Sequence, residues 1–277
     1  MELADLLAHS QPLPSSPRVL ALLLNELNQL RPDLRRVDQF IKADPVLSLR
    51  VLQAANAPFF ELCGQINSVS QALALLRLEQ VQSLVSQAIA QASFKVSAGL
   101  SLVQFWIYSQ DCARVARALA GLLQQNQQAA YVAGLIHALG ELAMRAALPQ
   151  ALALDDSCPA FDFKRARAER QVFGFCYTEL SSAMASQARL PRILCDALAY
   201  ADAPFDNDAC EPLAGVLHLA QWRARANQLG LQQNALTVTF PSLVAEMLGL
   251  DIDMVLQQDP IDWSRQVTGS MLATPQP

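Results

Sequence analysis

The chain has 277 residues, 52% of them hydrophobic and only 16% charged, with a formal net charge of −5. So apolar a composition buries a large core and excludes disorder except at the ends. The acidic balance argues against non-specific nucleic-acid binding, which needs a basic surface to displace counterions, so no DNA is expected as a partner.

The opening "MELADLLAHS" carries Glu2 and Asp5 and lacks a basic n-region, so it does not read as a signal peptide. In "SSPRVLALLLNEL", Ser16 caps a helix with Pro17 at its first position, and Val19, Leu20, Leu23, Leu24 and Leu27 form one buried face. "DLRRVDQFI" repeats the scheme with Leu34, Val37 and Ile41, and "ADPVLSLRVLQAAN" does so with Asp44 as cap and Pro45 opening the helix. The stretch "APFFELCGQINS" (57–68) breaks the pattern. Asn56 there suits a left-handed helix end, and Phe59 and Phe60 are expected to plug a gap between helices.

Helices follow through "SVSQALALLRL", "EQVQSLVSQAIAQASF" and "LVQFWIYSQDCARVARALAGLL", and "AAYVAGLIHALGELAMRAAL" reads as one more. The longest charge-free run, Arg117 to Glu141, is cut by the amides of "QQNQQ" (124–128), so no membrane span is expected. After the break at Pro149 and "DDSCPAFD", helices are expected at 162–172, 178–188, 191–200 and 212–228. "LTVTFP" (236–241) is the one β-looking stretch, too isolated to build a sheet. "PSLVAEMLGLDIDMVLQQ" reads as one or two helices with Leu243, Met247 and Leu248 facing inward, and "TGSMLATPQP" should fray. The fold class is all-α. The cysteines (Cys63, Cys112, Cys158, Cys176, Cys195, Cys210) form no C-x-x-C pair, which fits a reducing cytoplasm.

His137 in "GLIHALGEL" stands on an apolar stretch with Glu141 four residues on. It can be a metal ligand, a catalytic base or a packed imidazole, with Glu141 as one partner. His218 precedes Trp222 by four, which favours a contact along a helix face, and His9 carries no signal. Lys164, Arg165, Arg167 and Arg170 cluster in "FKRARAERQ" (163–171), either as a solvated face or as a site for a small phosphate ligand, RNA or an acidic partner. Arg114, Arg117, Arg223 and Arg225 would enlarge the patch if they converge on it. Asp155 and Asp156 read as a solvated loop. There is no G-x-S-x-G, P-loop or G-x-G-x-x-G, and the lysines are Lys42, Lys95 and Lys164 alone.

Several blocks resemble the HDOD domain, the signalling relative of the HD phosphohydrolases. They are "LPSSPRVLALLLNEL" (13–27), "IKADPVLSLRVLQAANAPFF" (41–60), "INSVSQALALLRLEQVQSL" (66–84), "FWIYSQDCARVARALA" (105–120), "AGLIHALGEL" (133–142), "ERQVFGFCYTEL" (169–180) and "LPRILCDALAYADAP" (190–204). The most specific features are Asp44-Pro45, Ala55-Asn56 and Phe59-Phe60. The resemblance implies an HD-like helical domain preceded by a bundle of short helices. It divides the chain into an extension (1–11), the HDOD domain (12–228, with subdomains 12–95 and 96–228) and a C-terminal extension (229–277).

Catalytic HD proteins hold one or two metals on histidines and aspartates that activate water against a phosphate ester. By the resemblance, those ligand positions fall here on Tyr108, His137, Ala138, Tyr177, Ala201, Asp202 and Gln221. Only His137 and Asp202 keep a ligand type, and one or two ligands do not hold a divalent ion against water. The tyrosines should fill at least part of the pocket. The implied protein is a non-catalytic bacterial signal-transduction protein without cofactor, acting through contacts with an unidentified signalling partner. A small phosphate ligand or self-association is compatible with this. No receiver, GGDEF, EAL or kinase-like segment is recognised, so its input is expected from a separate partner or a ligand. The alternatives are a residual metal-dependent phosphohydrolase acting on nucleotides or cyclic dinucleotides, and a nucleotide or phosphate sensor.

Overall fold

In a computed structural model of the chain, residues 2–8, 12–60, 64–91, 101–160, 162–205 and 211–257 are described. His9, Cys63, Lys95, Cys210 and the tail "TGSMLATPQP" lie outside them. The described residues are helical, with no strand among them. A first group comprises α1 (Leu3–Ala8), α2 (Pro17–Leu27), α3 (Leu34–Lys42), α4 (Pro45–Ala55), α5 (Val69–Leu75) and α6 (Leu78–Ala90). A second comprises α7 (Leu102–Leu122), α8 (Gln127–Ile136), α9 (Leu139–Ala147), α10 (Pro149–Ala153), α11 (Arg165–Phe173), α12 (Tyr177–Gln187), α13 (Arg192–Ala199) and α14 (Pro212–Gln228). The short α15 (Gln233–Thr239), α16 (Ser242–Met247) and α17 (Ile252–Gln257) follow. No described helix is long and apolar enough to cross a membrane.

The capping signals act as their chemistry requires. Ser16 Oγ accepts the Val19 N–H, with Pro17 preset behind it. Asp44 is buried and caps twice, accepting the Leu47 N–H at 2.9 Å on its own helix and the Ser16 N–H at 2.6 Å on α2. One carboxylate thus fixes the starts of α2 and α4 together. Asn56 departs from expectation: its backbone is not left-handed, and its side chain staples the following loop instead. Its Nδ2 donates to Leu52 and Ile66 carbonyls while Oδ1 accepts the Gly64 and Ile66 N–H groups.

The second group is built on α7, which packs against α8 and α14, while α12 packs against α9 and α13. A continuous apolar cluster joins both groups, and Gln110 Nε2 on α7 donates to the Ala43 carbonyl before α4 at 2.8 Å. The segment expected as an N-terminal extension folds α1 onto α12.

Other expectations are corrected. "AAYVAGLIHALGELAMRAAL" is two helices, because the chain turns at His137 and Ala138. "LTVTFP" lies mostly in α15, since a lone β-prone stretch has no neighbour to pair with. Leu34 and Phe59 are exposed; Phe60, not Phe59, packs on the core, with the two rings edge to face at 5.2 Å. Leu243 and Met247 face solvent while Val244 and Ala245 are buried, so α16 is rotated from the expected register.

Close helix approach is set by glycine. A Cβ on Gly134 would lie 2.6 Å from Ala113 Cα, and one on Gly140 would run into the Tyr177 carbonyl. At Gly121 it would meet only the flexible end of Gln127. Gly134→Ala and Gly140→Ala are therefore expected to lower stability by about 1–3 kcal/mol or more. Gly121→Ala, inside a helix, should leave it unchanged or raise it by up to about 1 kcal/mol. Urea unfolding of the three variants checks the order.

Candidate functional site

Among the positions that the resemblance marks as metal ligands, Tyr108 and His137 pack together, with ring centroids 5.2 Å apart. Tyr108 comes from α7, His137 and Ala138 from the α8–α9 turn, Tyr177 from the start of α12, Ala201 and Asp202 from the turn after α13, and Gln221 from α14. The turn is held from α12: Ser181 Oγ accepts the Gly140 N–H at 2.8 Å and donates to the His137 carbonyl at 2.7 Å. The backbone groups freed by the break are thereby satisfied.

His137 is 2% exposed, and its Nδ1 lies 2.7 Å from the Gly134 carbonyl. A carbonyl only accepts, so Nδ1 carries the proton. The ring packs edge to face on Tyr108, with centroids 5.2 Å apart. Burial, with the Arg225 charge adding to it, pushes its pKa down to about 4, so the imidazole is neutral at neutral pH. The expected partner Glu141 is not used, because the turn takes it off the histidine's helical face. His218 likewise bypasses Trp222: its Nδ1 donates to the Ala201 carbonyl at 2.8 Å, and Trp222 packs on Phe240.

The remaining positions offer a metal little. Tyr108 and Tyr177 are buried, and burial raises both hydroxyl pKa values, so they stay protonated. Asp202 is committed: Arg170 binds both its oxygens, at 2.6 and 3.2 Å, and Thr178 Oγ1 donates at 3.0 Å. Ala138 and Ala201 have no donor atom, and Gln221 Nε2 is buried with no hydrogen-bond partner among the described residues. Those residues contain no group of three or more His, Cys, Asp or Glu able to hold a metal. The donor set therefore does not fit the HD metal centre.

The basic cluster divides. Lys164 and Arg167 are exposed, as a solvated face requires. Arg165 is 0% exposed. It donates to Glu169 (2.8 Å), Asp155 (2.8 Å) and the Cys158 (2.6 Å) and Ala151 (2.8 Å) carbonyls, with Glu141 at 3.5 Å. Arg145, also buried, pairs with Glu141 and grips Asp155 with two nitrogens at 2.7 and 2.6 Å. Asp155 is therefore part of a charge network rather than a solvated loop, and the two arginines hold its carboxyl below the usual range. Burial and the Glu141 charge push the Glu169 carboxyl up, opposed by Arg165 and by the Tyr177 N–H at 2.8 Å. Arg170 bonds Glu179 at 2.6 Å as well as Asp202. The four-residue anion site thus loses Arg165 and Arg170 to internal carboxylates. Arg114 pairs with Asp111, and Arg117 lies over the Tyr131 ring.

Two cavities lie elsewhere. One, about 580 Å³, runs between the helix groups past Leu13, Arg50, Leu84, Gln87 and Met184; the other, about 440 Å³, lies by Ser182, Cys195 and Asp196. Cys176 contacts Thr178, and burial pushes its thiol up to about 12, so it is no nucleophile at neutral pH.

Two predictions follow from this geometry. The folded His137 pKa lies below its ordinary 6.5, so the unfolded chain takes up a proton first as pH falls. The associated stability is full above about pH 6.5 and is lost towards pH 4, about 3 kcal/mol in all. His137→Asn, which keeps a donor for Gly134, should narrow the wild-type–variant stability difference by about 2–2.5 kcal/mol between pH 7 and pH 4.5 in urea unfolding. Arg165→Met strands buried carboxylates and should cost about 3–5 kcal/mol. Lys164→Ala and Arg167→Ala should stay within about 0.5 kcal/mol, read by the same unfolding curves.

The model of the HDOD domain family matches residues 13–204. No curated protein matches the chain. Among solved structures, the MmoQ response regulator of Methylococcus capsulatus is 22% identical, with TM-score 0.71 over 91% of this chain and 99% of that one. An HDOD domain protein of Geobacter sulfurreducens is 23% identical, with TM-score 0.53 over 98% and 95%. A Shewanella amazonensis protein named as a candidate phosphohydrolase is 24% identical, with TM-score 0.57 over 98% of both chains. At these identities the structures share the fold. With the family match spanning most of the chain, the protein belongs to the HDOD family, the helical relatives of the HD phosphohydrolases.

Proposed function

We propose that this chain is a non-catalytic regulatory protein of bacterial signal transduction, working in the cytoplasm through contacts with other proteins. The observation that carries the reading is the engagement of Asp202 by Arg170 and Thr178, beside tyrosines at two histidine positions. A hydrolytic HD centre needs several carboxylates and imidazoles free to converge on metal. Here the one retained carboxylate is neutralised by a guanidinium, and the one retained imidazole is packed against an aromatic ring. The fold it shares with MmoQ, a response regulator, supports a regulatory role.

Metal analysis of the purified full chain should find iron, manganese and zinc far below one per chain, unchanged in His137→Asn. Manganese-supplemented hydrolysis of a chromogenic phosphodiester should equal buffer background. In the native cell, deletion of the gene should alter a regulated trait, and the His137→Asn allele should restore it. Stoichiometric metal that vanishes in His137→Asn, together with loss of complementation by that allele, would establish the phosphohydrolase instead.

A further inference from the structure

The C-terminal half of α14 carries donors that the fold leaves unanswered. His218, Gln221 and Arg225 recur at spacings of three and four and so share one helix face. Gln221 is 7% exposed, and its buried Nε2 has no hydrogen-bond partner among the described residues. The buried Nε of Arg225, one turn on, is in the same position, while the residue as a whole is half-buried and reaches solvent. Buried donors without acceptors are costly and rare, so a pair on one face points to something that accepts from both.

The charges around them indicate what that is. Arg225 lies close enough for its charge to act on Tyr108, His137, Tyr177 and His218. Burial keeps all four of these neutral at neutral pH. The nearby carboxylate, Asp202, is already bound by Arg170 and Thr178. A guanidinium with no ion-pair partner among the described residues, one turn from an orphaned amide N–H, is a cation open to a counter-ion. The resemblance places an HD metal ligand at Gln221, one turn before Arg225, so a positive side chain stands beside a position where HD enzymes carry a carboxylate.

We propose that Gln221 and Arg225 bind a small oxyanion of the phosphate type, free or as a phosphomonoester, on the α14 face they share. The planar guanidinium suits two oxygens of one phosphate, and the Gln221 amide supplies a further donor. This differs from the "FKRARAERQ" cluster, whose Arg165 and Arg170 are already paired with carboxylates. It goes beyond the regulatory reading and shares with it only the loss of the metal-holding groups, so its failure would leave that reading standing.

Calorimetric titration of the full chain with sodium phosphate, against chloride of equal ionic strength, tests it. The wild type should show saturable one-site binding. Gln221→Leu and Arg225→Gln should each weaken it roughly tenfold or more, and Arg192→Gln, at a residue 92% exposed in its side chain, should leave it unchanged. Gln221→Leu should also melt no lower than wild type without phosphate, because it removes an unpaired buried donor, which keeps a folding defect from mimicking the result. A parallel titration with adenosine monophosphate separates the sources: tighter binding than phosphate assigns a phosphomonoester, equal binding assigns free phosphate. Absence of saturable binding in the wild type, or full affinity in both variants, would overturn the proposal. Stoichiometric divalent metal binding that is tightened by Arg225→Gln would overturn it too.

Discussion

Much of the second helix group hangs on the Arg165 side chain, which is buried with its nitrogens bonded to Glu169, Asp155 and two backbone carbonyls. Desolvating a guanidinium is expensive, and the cost is offset only where acceptors with good geometry surround it. Because Arg165 is anchored from the α10 end of the chain, α11 is fixed in place. Glu169 on α11 then accepts the Tyr177 N–H that begins α12, and Arg170 on the same helix reaches Asp202 beyond α13. The surroundings of Tyr177 and Asp202 are thus set by a charge network on α11.

That dependence explains what could be read from the chain. The caps at Ser16 and Asp44, the prolines behind them and the apolar spacing are local, and they placed the helices well. Arg165–Glu169 and Glu141–Arg145 are also local, being four residues apart, and their signs could be read as pairs. What no local pattern shows is that Asp155 bridges them, because that contact spans a turn and two helices. Without it, a run of arginines reads as a solvated or anion-binding face. The same limit applies at His137. An apolar run carrying a histidine continues as a helix by propensity, and the break is stabilised by Ser181, forty-odd residues away on α12.

The exposed Leu243 and Met247 illustrate a different loss. Their spacing of four fits either face of a short helix, and α16, six residues long, gives the pattern too little length to choose. The packing of α16 on α14 chooses instead, turning Val244 and Ala245 inward.

The positions that the resemblance aligns with HD metal ligands are tied to the core by their own side-chain contacts. A metal centre brings anionic and neutral acceptors around one dication, and removing the ion alone would leave those acceptors to repel one another. Here the acceptors are thinned to alanine, tyrosine and glutamine, and the carboxylate that remains receives a guanidinium from α11. Tyr108 supplies a ring edge to the surviving imidazole, whose protonated nitrogen is turned to its own helix at Gly134. His137 is thereby retained by packing and one backbone hydrogen bond, neither of which requires a metal. With Arg170 on one flank and Arg225 on the other, positive charge at the site comes from side chains that need no free ion. Side chains of this kind favour an anionic acceptor over a cation, which is the basis on which the anion site is proposed.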